Sequence, residues 1–260
     1  MSTLTALLMV SLISMTQSFT LSTMVKISSQ RNHVISQRMK SVGVEVDAGF
    51  IATELRGAAM KLHTTRQAPK DGGVVVSDDE LKEPYVPTIE DYLAFLVDSQ
   101  HVYGAMEEIV NSQEILSPFR NTGLERTKPL EKDIEYITHK FQIRRPSVGE
   151  NGKSYASKLK SIKSIPEFIC HYYNYYFAHT AGGRMIGKQM SALLLERKTL
   201  EFYKWDGDLN AIKSKVKECI ETMASEWTRE EKNECVNATA DAFLGGGSIN
   251  SYLTGNKSGH

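Results

Sequence analysis

The segment FICHYYNYYFAHTAGGRMIG, residues 168–187, belongs to the most apolar stretch after the N-terminal segment and decides the fold class. Its aromatic side chains are expected to form a core. Its second half places Gly182, Gly183 and Gly187 inside a helical stretch, where they forfeit roughly 3 kcal/mol relative to alanine. Glycines let a helix kink and let a ligand or another helix approach the backbone. Spacing alone leaves both explanations open, although it matches neither common phosphate-binding glycine motif.

The sequence on either side indicates further helices. Apolar residues recur at helical spacing over residues 48–66, 88–110, 208–224 and 228–244, and another helical stretch covers about 127–140. Proline and glycine interrupt the pattern at residues 67–87 and 144–154. No alternating strand pattern of useful length is present. The sequence therefore predicts an all-α, single-domain fold over residues 45–244. Glycines are expected to end the last helix, leaving a polar C-terminal tail at residues 245–260.

Two helix starts carry capping signals. Thr88 precedes an apolar stripe whose first turn holds Glu90 and Asp91, and acidic groups there favour the helix N-terminus. Thr228 and Glu231 have the spacing of a capping box.

Composition excludes some function classes. The formal net charge is zero, which gives no support for nonspecific nucleic-acid binding. The three cysteines show no metal-ligand spacing, and such a sparse, odd set indicates a reducing compartment. Cys170 lies beside His171, but sequence neighbours point to different sides of a helix, so a buried structural thiol is the better interpretation.

The first 44 residues have a different composition. Residues 1–18 resemble a signal peptide, with an apolar core too short to span a bilayer. Residues 19–44 begin at Phe19, carry four basic residues and contain no acidic residue, a composition typical of a transit peptide. Together they predict a bipartite plastid address of the kind found in algae with secondary plastids. A plain secretion signal before a disordered start is the alternative.

His63 is a candidate ligand on the first predicted helix. It shares one face with Ala59 and Arg56, and Arg56 lies about 10 Å away along the axis. A lone histidine on a helix is more often structural. Three lysines at alternate positions, Lys213, Lys215 and Lys217, either form a solvated face or reach ligand carboxylates.

Seven segments in order, between about residue 50 and residue 244, resemble plant-type heme oxygenase. They are MKLHT at 60–64, YLAFLVDS at 92–99, NTGLER at 121–126, FICHYY at 168–173, YFAHTAGGRMIG at 176–187, LEFYKWDG at 200–207 and EWTREEKN at 226–233. The resemblance implies that heme, as both substrate and cofactor, lies between a proximal helix and a kinked distal helix. It also implies that His63 is the axial ligand of the heme iron.

The resemblance assigns further site residues. Gly182 and Gly183 match the distal helix over the oxygen site, and His179 stands where animal and bacterial relatives carry an aspartate. Arg56, Tyr173 and Lys215 match positions that contact heme, including its carboxylates. Cys219 occupies what looks like an arginine position in animal relatives, which puts the carboxylate contacts in question. If Gly183 serves the oxygen site and not helix packing, Gly183→Ala should leave the apo-protein within about 1 kcal/mol of wild-type stability.

The implied activity is oxidative cleavage of heme by O2 to biliverdin, expected as the IXα isomer, with Fe2+ and CO, for bilin chromophore synthesis. Electrons are expected from reduced ferredoxin in the plastid stroma. The protein is expected to be a monomer with no membrane anchor and no nucleic-acid partner. Two rivals remain: a heme- or bilin-binding protein without turnover, and an unrelated helical enzyme on a similar fold.

Overall fold

A computed structural model describes residues 49–67 and 85–255. Its α-helices are α1 (Arg56–Gln67), α2 (Ile89–Ser112), α3 (Thr127–Phe141), α4 (Glu150–Ser161), α5 (Ile165–Ala178), α6 (Arg184–Leu194), α7 (Leu209–Ser225), α8 (Arg229–Asn237), α9 (Thr239–Ile249) and α10 (Ser251–Thr254). Two π turns, Ile51–Leu55 and His179–Gly183, precede α1 and α6, and two 3-10 segments cover Glu114–Phe119 and Glu201–Tyr203. The described residues contain no strand, so the predicted all-α fold is confirmed.

Helix α2 lies at the centre of the core because 14 of its 24 residues are buried, ten of them apolar. It packs against α3 and α4, whereas α5 packs against α8 and α9. Most side chains in the aromatic half of residues 168–187 are buried, as predicted. Tyr175 and Tyr176 of α5 contact Tyr103 of α2, with ring centroids 4.8 and 5.0 Å apart. Helix α5, which leads into the glycine-rich segment, therefore connects the two groups of helices.

Both predicted capping signals are confirmed. The Thr88 hydroxyl accepts a hydrogen bond from the Asp91 backbone N–H at 3.2 Å, and the Asp91 carboxylate accepts one from the Thr88 N–H at 3.0 Å. Thr228 and Glu231 form the same reciprocal pair at 3.2 and 2.8 Å. These bonds satisfy N–H groups that have no partner inside the helix.

The predicted end of the last helix is wrong. Helix α9 continues through the glycines at 245–247 to Ile249, and α10 follows directly. A Cβ atom on Gly245 would overlap Cε2 of Tyr155, so the glycine permits close packing against α4. Asn151 also donates to the Ser248 carbonyl at 3.1 Å and to Ser251 Oγ at 2.9 Å. Residues 245–255 are thus part of the folded domain, whereas 256–260 lie outside the described residues.

The predicted signal-like and transit-like segments, residues 1–18 and 19–44, lie outside the described residues. None of the helices in the described part of the chain combines the length and the apolar character needed to cross a bilayer.

Candidate active site

The glycine-rich segment lies between α5 and α6. Residues His179–Gly183 widen into a π turn, the kind of distortion at which helices kink, and we call this segment the kink. A Cβ on Gly187, one turn further, would lie 2.6 Å from Tyr203 Cε1. Gly187 therefore serves packing against the 3-10 segment Glu201–Tyr203.

A cavity of about 390 Å³ adjoins this kink. Its walls come from the kink, from α2, α5, α6 and α9, and from the 3-10 segment Glu201–Tyr203, and include Phe95, Tyr103, Gly182, Ile186, Phe243 and Gly246. A Cβ on Gly182 would meet no atom within 4 Å, so open space lies in the direction of its missing side chain. The kink thus presents bare backbone on the side where the cavity lies, which suits a flat ligand that must approach the helix closely.

Gly183 plays a different part from the one expected. A Cβ at this position would lie 2.8 Å from Nδ1 of His179, inside the van der Waals limit. The neighbouring imidazole is itself buried and has little freedom to move. This geometry counts against the expectation of nearly unchanged stability in Gly183→Ala, which no measurement has tested, because the missing side chain of Gly183 makes room for His179.

His179 is held in one orientation by Phe202. The two rings stack with centroids 3.9 Å apart and 16° between their planes, and His179 Nε2 lies 2.8 Å from the Phe202 carbonyl oxygen. A carbonyl oxygen only accepts, so Nε2 carries the proton and Nδ1 is left as an acceptor. Burial, opposed by the bond to Phe202, lowers the pKa of His179 to about 3. The imidazole is neutral at physiological pH and is poorly suited to act as an acid.

The structure describes the backbone of His63 within α1, but the side chain of His63 lies outside the described residues. Helix α1 contacts α9, which supplies Phe243 and Gly246 to the cavity wall. The proximal position of His63 is compatible with this packing and stays a prediction.

Cationic side chains lie on the side of α5 that carries Tyr173. The Tyr173 ring stacks on Phe177 with centroids 4.6 Å apart, and the Lys217 ammonium lies 5.5 Å from the Phe177 ring. Burial raises the pKa of the Tyr173 hydroxyl, and the nearby charge of Arg56 opposes that rise. Burial, Arg56 and Lys213 together lower the pKa of Lys217. The structure therefore brings Arg56, Lys213, Lys217 and Tyr173 into one neighbourhood, which we call the cationic cluster. Glu221 is a nearby acidic group, and it accepts a hydrogen bond from the Ile51 N–H at 2.9 Å.

Lys215 is exposed on α7, two residues from each of the cluster lysines. Positions two apart differ by about 200° around a helix, whereas Lys213 and Lys217 share a face because they are four apart. The sequence match of Lys215 to a heme-contacting position is not tested by this geometry. Lys217 is the lysine that the structure brings near Arg56. The i, i+4 relation of Lys213 and Lys217 was the signal available in the sequence.

Two buried residues near the kink were not predicted. Asp133, in α3, accepts the backbone N–H groups of Glu201 and Phe202 at 2.8 and 2.6 Å. Arg126 donates to the Lys204 carbonyl at 2.5 Å and lies 4.9 Å over the Trp205 ring. Asp133 shares the apolar face of Leu130, Ile134 and Ile137. An acidic residue at such a core position was the signal that could have found it.

Comparison with known proteins identifies the class of protein that this arrangement represents. The sequence model described as Heme oxygenase matches residues 51–246, so the chain belongs to the heme oxygenase family, a family of oxidoreductases. It is 43% identical over 207 residues to heme oxygenase 1, chloroplastic, of Arabidopsis thaliana, covering 77% of this chain and 72% of that protein.

One further relative and one solved structure match at lower identity. A probable inactive heme oxygenase 2, chloroplastic, of Arabidopsis thaliana is 35% identical over 217 residues, covering 78% of this chain and 72% of that protein. Heme oxygenase-1 of the cyanobacterium Synechocystis, solved in complex with heme, superposes with a TM-score of 0.60 at 20% identity. That match covers 78% of this chain and 91% of the cyanobacterial chain, and supports the fold.

Proposed function

We propose that this protein opens heme to biliverdin, Fe2+ and CO, using O2 and electrons from reduced ferredoxin. The observation that carries the proposal is Gly182, whose Cβ position faces open space in the lining of the 390 Å³ cavity. The residues present fit heme: a flat apolar ring can approach the bare backbone, and the cationic cluster, whose residues lie outside the cavity lining, would bind propionates that extend beyond it.

Each group of residues has a distinct task in this proposal. Bound heme supplies the iron that binds and activates O2 and the ring that is oxidised. His63 would hold the heme iron from the α1 side, and Gly182 and Gly183 would line the oxygen site. Arg56, Tyr173 and Lys217 would bind the propionates, with Lys213 or Lys215 as a further cation.

Water is the proton source that this arrangement favours. Among the described side chains that line the cavity, none is a carboxylate, and His179 Nε2 is already bonded to the Phe202 carbonyl. Nδ1 of His179 can accept a hydrogen bond and so orient a water molecule at the kink. Proton delivery would therefore run through ordered water with His179 as an acceptor.

Turnover distinguishes this proposal from a heme-binding protein that leaves heme intact. The purified chain is mixed with hemin, and reduced ferredoxin with its reductase is then supplied under O2. An oxygenase loses its Soret absorption and yields biliverdin. A Soret band that persists under these conditions would show that the protein binds heme without degrading it.

The axial role of His63 is tested in the same assay. His63→Ala should abolish turnover, and added imidazole should restore part of it by occupying the vacated ligand position. His139→Ala, which changes an exposed histidine on α3, is the matched control and should behave as wild type. Full turnover of His63→Ala without imidazole would refute the assignment.

We also propose import into a plastid, with the stroma as destination, directed by residues 1–44. The support is their acid-free basic composition after an apolar segment and the chloroplastic relative at 43% identity. A fusion of these residues to a fluorescent reporter should reach the plastid of an alga with secondary plastids, and Phe19→Ala should divert it to an outer plastid compartment. Secretion of the reporter to the medium would favour the plain secretion signal.

A further inference from the structure

The segment that orients His179 is itself held from α3. Asp133 is 2% exposed, and both of its carboxylate oxygens accept backbone N–H groups, from Glu201 and Phe202. These are the first N–H groups of the 3-10 segment Glu201–Tyr203, which have no partner inside it. Asp133 thus determines where the backbone of Phe202 lies.

Phe202 in turn determines where the imidazole of His179 lies. The Phe202 carbonyl oxygen accepts a hydrogen bond from His179 Nε2, and the Phe202 ring stacks on one face of the imidazole. Arg126 supports the same carbonyl more weakly, at 3.4 Å, and holds the next turn through the Lys204 carbonyl. The Asp133 carboxylate is therefore connected to His179, the first residue of the kink, through hydrogen bonds to the backbone of a single residue, Phe202.

We propose that Asp133 is a positioning residue for the distal histidine, acting through the backbone and ring of Phe202. It keeps Nε2 bonded to a carbonyl and leaves Nδ1 directed towards Gly183, beside the cavity. The use of this arrangement in heme cleavage rests on the proposed function, whereas the positioning itself is a property of the folded chain.

Asp98 is a matched comparison for a purely structural cap. It is 1% exposed and accepts two backbone N–H groups, from Gly149 and Gly152, at 2.7 and 2.9 Å at the start of α4. Its third partner is the Tyr252 hydroxyl at 3.1 Å. Asp98 and Asp133 therefore do the same local work, but only Asp133 is joined through Phe202 to His179.

Nitrogen NMR of the histidine rings in the full-length apo-protein tests the proposal without turnover. Wild type should show His179 in the Nε2-protonated form with a slowly exchanging ring proton, assigned by its absence in His179→Gln. In Asp133→Asn one amide hydrogen bond is lost, and exchange of that proton should accelerate about tenfold, the equivalent of one net hydrogen bond. Asp98→Asn should leave the His179 signals unchanged. Unchanged signals in a folded Asp133→Asn protein would overturn the proposal.

Hydrogen exchange in wild type covers the case in which Asp133→Asn does not fold. If one opening event frees both groups, the His179 ring proton and the Phe202 amide should show protection factors that agree within about threefold. A ring proton protected far less than the amide would overturn the proposal. If Asp133→Asn alters the His179 NMR signals but the wild-type chain fails to degrade heme, the positioning role stands and the proposed function is rejected.

Discussion

At the scale of single residues, the two adjacent glycines of the kink do different work. The space beyond Gly182 is open, whereas the space beyond Gly183 is filled by His179 Nδ1. A sequence shows only that both side chains are missing. Which glycine admits a ligand and which admits a neighbouring side chain depends on the direction of each Cα–Cβ vector in the π turn.

This difference predicts opposite effects for two alanine substitutions. Gly183→Ala should lower the free energy of unfolding of the apo-protein by about 1–3 kcal/mol through overpacking against a confined ring. Gly182→Ala should leave it unchanged or raise it by up to about 1 kcal/mol, because alanine favours helix. Its methyl group should instead lower biliverdin formation by up to about 100-fold, the effect that a displacement of about 1 Å can have. Urea unfolding and the turnover assay measure both, and equal stability of the two variants would contradict the assignment.

At the scale of elements, α7 presents different faces to the core, the cationic cluster and solvent. Val216 and Ile220 are fully buried, which sets the rotation of the helix. That rotation brings Lys213 and Lys217 towards Arg56 and leaves Lys215 on another face. The rotation of α7 therefore determines which lysine lies near Arg56, and a sequence match alone does not.

The selection can be tested with two matched lysine variants. Lys217→Ala should weaken hemin binding by about threefold, the size expected for a partly exposed ion pair, and should reduce the preference for one biliverdin isomer. Lys215→Ala removes the same charge from the same helix and should leave hemin affinity unchanged. Hemin titration and chromatography of the biliverdin isomers provide the measurements. A loss of hemin affinity in Lys215→Ala but not in Lys217→Ala would indicate that Lys215 is the lysine that binds heme.

At the scale of the whole molecule, neutral histidines in the interior make stability depend on pH. Burial lowers the pKa of His171 to about 4 and that of His179 to about 3, whereas both titrate near 6.5 in an unfolded chain. Below pH 6.5 these groups therefore gain protons mainly in the unfolded chain, so stability falls on acidification. Asp133 acts in the opposite direction, because burial raises its pKa to about 6 and the folded chain takes up that proton first.

The two histidines add more protons to the unfolded chain than Asp133 adds to the folded chain, so stability is expected to fall as the pH is lowered. Between pH 6 and 5 the unfolded chain holds about one more proton than the folded chain, so the free energy of unfolding should fall by about 1.4 kcal/mol per pH unit. Urea unfolding of the apo-protein at pH 7.5, 6 and 5 measures this slope. His171→Gln should bring the slope close to zero by leaving His179 and Asp133 to cancel. A slope that His171→Gln leaves unaltered would assign the acid sensitivity to other groups.

Local patterns in the sequence were sufficient for most of the helices, the two helix caps, the aromatic core and a distortion at the glycines. Each of these depends on residues within about four positions of one another, where hydrophobic spacing, side-chain caps and the missing Cβ act directly. Local patterns were not sufficient for α4, which begins at Glu150 inside the stretch 144–154 that was expected to be a loop. Only the tertiary structure decided that α9 runs through its glycines, that Gly182 and Gly183 have different surroundings, and that Asp133 bonds to the backbone of Phe202, the residue that contacts His179. Those outcomes depend on partners such as Tyr155 and Phe202, which lie 23 to 90 positions away along the chain and whose placement no local pattern specifies.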